Sequence, residues 1–294
     1  MAAAEAEFES FVRTIAEVEK VYVLADGDRK LELQQRFRSI NSIEFVDIPT
    51  NDSWIRDYGP IFILDTDGNQ LVGVDWNYDG WGQKYPPFEF DQQVAQQVLR
   101  FLGLPRVQSR MITEGGALET DGQSFCMATR KSLTQRNRSI DESDLVKEIS
   151  TWTGMEHVIL LENELIAGDD TDGHVDQVAR FVDSQRAVVS AQQWQCVRPT
   201  LQQNGIDPIE LPDPAPTKMH GRELPCRYTN FYIANGIVVV PQFHDPQDSN
   251  AVAVLREQFP DHEVIPLPSI ELAVGLGSFH CLSQQQPGLR PRLN

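Results

Sequence analysis

The stretch that decides the fold is Asn230-Phe231-Tyr232-Ile233-Ala234-Asn235-Gly236-Ile237-Val238-Val239-Val240-Pro241. Two apolar runs flank Asn235-Gly236, a dipeptide typical of the two-residue turn of a β-hairpin. The same arrangement of run, turn and run recurs in three segments upstream: Ile61 to Trp76 around Asp67-Gly68, Ala117 to Thr129 around Asp121-Gly122, and Val178 to Ala191 around Asp183-Ser184. The sequence therefore predicts four β-hairpins.

The segments between the hairpins carry helical patterns. Successive turns lie roughly 50 to 60 residues apart, which is long for small propeller blades made only of strands. Apolar residues at helical spacing predict helices over three spacers: Phe90 to Leu102, Glu142 to Trp152 after the cap candidate Asp141, and Asp248 to Phe259. Hairpin, helix and a further strand, repeated four or more times, predict a mixed α/β fold that is a ring or stack of ββαβ units. In a ring, loops from several units would meet at the centre.

Proline-rich stretches do not divide the chain. Residues 208–216 and the segment after Gly288 read as a surface loop and a tail rather than as linkers. We therefore expect one domain over residues 1–294, with residues 288–294 as a flexible tail.

Composition restricts the kinds of partner. The 294-residue chain carries a net charge of −18, which repels phosphates and argues against nucleic acid, while it is compatible with a small cationic ligand. No run approaches the ~18 apolar residues of a membrane span, and the acidic N-terminal residues do not resemble a secretory signal. Four scattered cysteines without a Cys-x-x-Cys pair fit reduced thiols in a cytoplasmic protein: Cys126, Cys196, Cys226 and Cys281.

Cys281 has unusual neighbours for a cysteine. It stands between small residues, a histidine and three consecutive glutamines in the segment Gly275 to Pro287. Small neighbours would let a substrate approach the sulfur, and amide side chains would hold the loop that presents it. The alternative is a buried structural thiol.

The densest polar segment is Gly168-Asp169-Asp170-Thr171-Asp172-Gly173-His174-Val175-Asp176. In an extended segment His174 and Asp176 point to the same face, because side-chain direction repeats every two residues. An imidazole beside a carboxylate is suited to general acid–base catalysis. The alternatives are a calcium-type acidic loop or a solvated turn. The spacing lacks the ligand series of an EF-hand, and the chain has no His-x-x-x-His pair for zinc, so we predict no metal site.

Two further polar segments precede predicted hairpins. In Asn51 to Pro60, Trp54 offers an aromatic face and Asp57 an anionic group for a flat cation. Glu114 stands before Gly115-Gly116, where a glycine pair would let its side chain reach a crowded centre. Taken alone, each segment is also explained as a surface loop or a turn.

Together these segments provide a thiol, an imidazole and three carboxylates, those of Asp57, Glu114 and Asp176. A planar guanidinium matches this set, because carboxylates bind its N–H groups in pairs and a thiolate attacks its central carbon. A serine hydrolase is the weaker interpretation, since the chain has no Gly-x-Ser-x-Gly motif.

At these residues the chain resembles the agmatine deiminases, within the wider family of bacterial peptidylarginine-deiminase-like proteins. The resemblance covers nearly the full length in family order. It is carried by Asn51 to Pro60, Gly73 to Asn77, Trp81-Gly82, Glu114-Gly115-Gly116, Arg136-Asn137-Arg138, Asp169 to Asp176, Asn230 to Gly236 and His280 to Pro287.

The resemblance implies a five-bladed α/β propeller and hydrolysis of a guanidinium to a ureido group plus ammonia, without metal or cofactor. It implies that Cys281 attacks the guanidinium carbon. His174 would protonate the departing ammonia and then activate water against a covalent thiouronium intermediate. Asp57 and Asp176 would clamp the guanidinium nitrogens, and Glu114 would orient His174. The substrate's chain and distal amine would be held by Trp54, Asp169, Asp170 and Asp172.

The chain also departs from the family pattern. Family members usually begin with a strand region ahead of the helix that corresponds to Glu5 to Val18, so we expect an incomplete first blade. Members often carry glutamate where this chain has Asp170, which shortens the reach toward a distal amine. The expected reaction converts agmatine to N-carbamoylputrescine, and a homodimer is expected. The alternatives are deimination of arginine or peptidyl-arginine, or a guanidino-binding propeller without catalysis.

Overall fold

The computed structural model describes residues 2–65 and 70–289. Its helices are α1 Ala2–Ala16, α2 Gly27–Arg36, α3 Ile55–Tyr58, α4 Gly80–Gln83, α5 Asp91–Leu102, α6 Arg130–Arg136, α7 Glu142–Thr153, α8 Trp194–Gln203, α9 Asp248–Gln258 and α10 Ile270–Val274. Its strands are β1 Val21–Leu24, β2 Ile43–Val46, β3 Ile61–Leu64, β4 Leu71–Asp75, β5 Arg106–Gln108, β6 Glu119–Thr120, β7 Phe125–Thr129, β8 His157–Leu161, β9 Ala179–Phe181, β10 Arg186–Ser190, β11 Asp207–Leu211, β12 Lys218–Met219, β13 Arg222–Glu223, β14 Tyr232–Ala234, β15 Ile237–Gln242 and β16 Glu263–Pro268. Short 3₁₀ turns span Gly115–Ala117, Val175–Gln177, Ala191–Gln193 and Tyr228–Asn230.

Four three-stranded sheets in the described residues share one topology. In each, an antiparallel hairpin is followed by helical structure and by a third strand parallel to the second: β3-β4-β5, β6-β7-β8, β9-β10-β11 and β14-β15-β16. The turn between β14 and β15 contains Gly236 with φ of 77°, a left-handed conformation that glycine adopts without strain. The predicted ββαβ units and the mixed α/β class are therefore confirmed.

The predicted helices agree closely with the structure. Helices α5, α7 and α9 coincide with the predicted spans to within one or two residues at each end. Asp141 is the N-cap residue of α7, as predicted, although its side chain makes no capping hydrogen bond within the described residues. Of the predicted turns, Asp67-Gly68 lies outside the described residues, although the strands that it joins pair as expected.

The N-terminal region contains a smaller unit. Strands β1 and β2 pair in parallel with α2 between them, and they form a two-stranded sheet. Helix α1 packs against the C-terminal unit, where the Glu7 carboxylate accepts hydrogen bonds from the backbone N–H groups of Glu271 and Leu272 at the start of α10. The Phe11 ring stacks on Phe279, with centroids 4.7 Å apart. These contacts join the first helix to the loop that carries Cys281.

Apolar residues pack between each sheet and its helix. In the last unit, Val238 and Val240 from β15 meet Leu255 from α9, and all three are fully buried. Alternate residues of a strand point to opposite faces, so Val239 packs instead in the cluster that contains Phe11 and Cys281. No helix in the described part of the chain is both long and apolar enough to span a membrane.

Candidate active site

Four of the five predicted site residues lie just ahead of the first strand of a ββαβ unit, and the fifth, Cys281, follows the last unit. Asp57 belongs to α3, just ahead of β3, and Glu114 precedes the 3₁₀ turn ahead of β6. His174 and Asp176 precede β9, and Cys281 follows α10. All five side chains are buried, and they converge on one point although 224 residues separate the first from the last.

Cys281 is held by Asn230. The Asn230 side-chain amide donates to Sγ at 3.1 Å, and its Oδ1 accepts from the Cys281 backbone N–H at 3.3 Å. The thiol in turn donates to Asp176 Oδ2 at 3.6 Å. Burial raises the pKa of Cys281 well above its usual value, and the carboxylates of Asp176 and Asp57 raise it further. The resting group is therefore a thiol, and a bound cation would favour its thiolate.

His174 lies between two carboxylates. Its Nε2 is 3.3 Å from Glu114 Oε2, and its Nδ1 is 3.6 Å from Asp57 Oδ1. Burial works to lower the pKa of His174, but the negative charges of Asp57 and Glu114 outweigh it and raise the pKa to about 9. At neutral pH the imidazole is consequently a charged proton donor.

Glu114 owes its orientation to a buried arginine. Arg136 Nε donates to Glu114 Oε1 at 2.7 Å, and both side chains are almost fully buried. Burial alone would raise the pKa of Glu114, yet hydrogen bonding and attraction to His174 and Arg136 lower it below its usual value. Glu114 is therefore the ionised partner that fixes the ring of His174.

Asp57 is bound by groups from two other segments. Trp81 Nε1 donates to its Oδ2 at 2.9 Å, and the Gly116 backbone N–H donates to its Oδ1 at 3.0 Å. Burial raises the pKa of Asp57. Gly116 is packed tightly here, because a Cβ at this position would lie 2.7 Å from both Asp57 Oδ1 and His174 Nδ1. The glycine pair thus brings the backbone against the converging side chains, as the sequence predicted.

Asp176 is bonded on one side only. Its Oδ2 accepts from His280 Nδ1 at 2.8 Å and from Asn230 Nδ2 at 3.3 Å, whereas its buried Oδ1 has no hydrogen-bond partner among the described residues. Burial raises the pKa of Asp176 to about 7. The predicted reason for the proximity of His174 and Asp176 is wrong, because residues 175–177 form a 3₁₀ turn rather than an extended segment. Both side chains nevertheless reach the site.

A cavity of about 70 Å³ opens beside the thiol. Its lining includes Cys281, Asp57, Trp54, Trp81, Tyr85 and Asp170. Aromatic rings and carboxylates are suited to a ligand that has an apolar chain between two cationic ends. A larger groove of about 620 Å³, lined by Pro212, Asp213 and Arg227 among others, lies away from the converging carboxylates.

The glycines near Cys281 have a different use from the predicted one. A Cβ on Gly277 would lie 2.5 Å from the Trp54 ring, so this glycine makes room for the indole rather than for a substrate. The glutamines behave as expected at Gln285, whose Oε1 accepts from the Arg56 guanidinium at 2.6 Å. The Arg56 backbone N–H also donates to the Cys281 carbonyl at 3.1 Å.

The predicted amine-binding aspartates differ in position. Asp170 lines the cavity, and its carboxylate accepts a hydrogen bond from the Tyr85 hydroxyl. Asp169 instead binds its own loop, since its two oxygens accept from the backbone N–H groups of Thr171 and Gly173. Asp172 forms ion pairs with Arg136 at 2.6 Å and Lys84 at 2.8 Å. The structure therefore does not bring Asp169 and Asp172 to the cavity wall, because loop and ion-pair contacts occupy their carboxylates.

Sequence reasoning missed four side chains of the site: Trp81, Arg136, Asn230 and His280. Each lies in a segment that carries the family resemblance. Their types gave no independent signal, because a lone indole, arginine, amide or imidazole has many structural uses. Only their contacts with Asp57, Glu114 and Asp176 distinguish them.

Comparison with known proteins identifies the family of this chain. The model of the family described as Porphyromonas-type peptidyl-arginine deiminase matches residues 1–287. The chain is 31% identical to an agmatine deiminase of Ectopseudomonas mendocina, over 97% of this chain and 87% of the relative. It is 29% identical to an agmatine deiminase of Medicago truncatula, over 97% and 89%.

Solved structures agree with the sequence comparison. A cysteine-to-serine variant of the C. jejuni agmatine deiminase, with substrate bound, superposes with a TM-score of 0.90 at 28% identity, covering 97% of this chain and 88% of that one. An amidinotransferase from Microseira wollei, with a TM-score of 0.58 and 9% identity, shares the fold alone. The chain belongs to the Porphyromonas-type peptidyl-arginine deiminase family.

Proposed function

We propose that this protein is an agmatine deiminase, a hydrolase that converts agmatine and water to N-carbamoylputrescine and ammonia. The observation that carries the proposal is that the Cys281 thiol, the His174 imidazole and three buried carboxylates lie close together, beside a cavity that Cys281 and Asp57 line. The agmatine deiminases of Medicago truncatula and Ectopseudomonas mendocina, and the C. jejuni structure with substrate, support agmatine as the guanidino compound.

The guanidinium enters between Asp57 and Asp176. Its N–H groups donate to the two carboxylates, and Asp176 Oδ1 is an acceptor that no other group in the described residues occupies. Its positive charge offsets the carboxylates that raise the pKa of Cys281, so that substrate binding promotes the thiolate.

The first half of the reaction forms a covalent intermediate. The thiolate of Cys281 bonds to the guanidinium carbon and gives a neutral tetrahedral adduct. His174, charged because its pKa is raised to about 9, gives its proton to one amino group. The carbon–nitrogen bond breaks, ammonia leaves, and an S-alkylthiouronium cation remains on Cys281.

The second half restores the enzyme. The now neutral His174 takes a proton from water as the oxygen bonds to the thiouronium carbon. The carbon–sulfur bond then breaks and the hydroxyl proton is lost, which gives the ureido product and the thiolate. The released proton and the ammonia together account for one ammonium ion per turnover. Glu114 keeps the His174 ring oriented through both transfers.

At the other end of the cavity, Trp54 contacts the aliphatic chain and Asp170 binds the distal amine. The position of Asp170 in the cavity wall supports this role in binding the amine. We propose no substrate contact for Asp169 and Asp172, whose carboxylates bind within the protein.

We also propose that the ββαβ units are the blades of a five-bladed propeller around this site. The four three-stranded units, the smaller β1–β2 unit and the contact of α1 with the last unit support a ring. Assembly as a homodimer, a cytoplasmic location and a role in forming putrescine precursors belong to the same proposal.

The test is ammonia release from agmatine, arginine and a blocked arginine peptide, with Cys281→Ser as the control. We expect turnover of agmatine by the native protein and none by the variant. Turnover of the peptide but not of agmatine would show that peptidyl-arginine is the substrate instead. Agmatine-dependent thermal stabilisation without turnover in either protein would indicate a binding protein instead.

A further inference from the structure

We infer that His280 is a positioning residue that holds one oxygen of Asp176 and thereby reserves the other for the guanidinium. This inference rests on the proposed function, since it concerns one of the two carboxylates proposed to bind the guanidinium.

The contact between His280 and Asp176 is short and buried. Nδ1 of His280 lies 2.8 Å from Asp176 Oδ2, and both side chains are at most 3% exposed. Nothing in the described residues bonds to Oδ1, although that atom is fully buried. An unpaired buried carboxylate oxygen is costly, and this cost is removed when a cation binds there. The one-sided bonding therefore selects for a ligand with N–H donors.

The surroundings fix the protonation state of His280. Burial and the positive charges of Arg180 and Arg56 lower the pKa of His280 well below its usual value. A neutral imidazole with its proton on Nδ1 donates to Asp176 without adding charge. A cation at this position would cancel the negative charge that the substrate needs, so a neutral donor orients the carboxylate and leaves its charge available.

Other charged groups also face Asp176. They come from three elements: Arg56 and Asp57 from α3, His174 from the segment ahead of β9, and Arg180 from β9. The Arg180 guanidinium also forms an ion pair with Glu119. The Cys281 thiol and the Asn230 amide complete the set. The His280 contact with the Asp176 carboxylate, at 2.8 Å, is shorter than those of Asn230 and Cys281. We therefore expect removal of the His280 side chain to affect Asp176 more directly than any other group.

The experiment compares His280→Ala with His280→Gln, whose amide keeps a donor. We expect His280→Ala to lose roughly 10- to 100-fold in kcat/KM for agmatine. The acidic limb of the His280→Ala pH profile should move to higher pH, because the Asp176 carboxylate has a higher pKa once it loses a hydrogen-bond donor. His280→Gln should recover most of both effects, and His157→Ala, an exposed histidine of β8, should behave like the native protein.

A binding measurement separates this inference from the proposed function. In the Cys281→Ser background, calorimetry with methylguanidine reports on the clamp whether or not the native protein hydrolyses agmatine. We expect weaker binding when His280→Ala is added. Unchanged affinity, or a His280→Ala enzyme with a native pH profile and only a lower melting temperature, would overturn the positioning role.

Discussion

Replacement of Gly116 by alanine should inactivate the site while leaving the fold in place. The new Cβ would lie 2.7 Å from Asp57 Oδ1, 2.7 Å from His174 Nδ1 and 3.1 Å from Asp176 Oδ2. The two distances of 2.7 Å are too short for a carbon contact, so the Asp57 carboxylate and the His174 imidazole must move, and Asp176 must shift by a few tenths of an ångström. Misplacement of reacting groups by about 1 Å costs on the order of 100-fold in rate. Crowding of a packed interior costs about 1–3 kcal/mol in stability.

The assay is steady-state ammonia release from agmatine, together with circular dichroism and thermal unfolding. We expect kcat/KM to fall by about 100-fold with a native spectrum and a moderately lower melting temperature. Gly288→Ala is the matched control, because a Cβ there meets no atom within 4 Å. A Gly116→Ala enzyme with native kcat/KM would refute the reasoning, since it would show that these three groups do not need their present separation.

Three further predictions concern protonation and the nucleophile. The pH dependence of kcat/KM should be bell-shaped between about 7 and 9, because Asp176 must be ionised and His174 protonated; a flat profile from pH 6 to 10 would contradict this assignment. Glu114→Gln removes a negative charge beside His174 and should move the alkaline limb to lower pH, whereas a shift to higher pH would exclude Glu114 as its partner. Asn230→Ala should slow iodoacetamide alkylation of Cys281 about tenfold at pH 8, because the thiolate loses an N–H donor. Mass spectrometry of the labelled peptides measures that rate, and an unchanged rate would show that Asn230 does not stabilise the thiolate.

The hairpins and helices were predictable because their signals are local. Asn235-Gly236 between apolar runs specifies a turn, and helical spacing in the spacer of the last unit specifies α9. These patterns need no knowledge of what packs against them. The arrangement of the units relative to one another has no such local signal.

The site was predictable only in part. The chemistry of Cys281 and His174 follows from residue type and family resemblance, whereas contacts such as that of Arg136 with Glu114 depend on tertiary convergence. A charged residue is usually exposed, so the burial of Arg136 between two carboxylates is not visible in its sequence. Asp169 is the opposite case: it was predicted to bind the substrate, but its carboxylate binds its own loop. The sequence alone does not distinguish these two uses of an aspartate.

The contacts of Arg56 with the Cys281 loop have a consequence for how activity arises during synthesis. Arg56 Nε donates to the carbonyl of His280, a residue 224 positions later, and its guanidinium also binds Gln285. Contacts of such sequence separation form late, because the loop entropy must be lost before the contact compensates for it. In the mechanism proposed above, a nascent chain that already contains His174 and its carboxylates therefore has no nucleophile in place. If Cys281 is that nucleophile, catalysis begins only when the C-terminal loop docks, and turnover then indicates that the fold is complete.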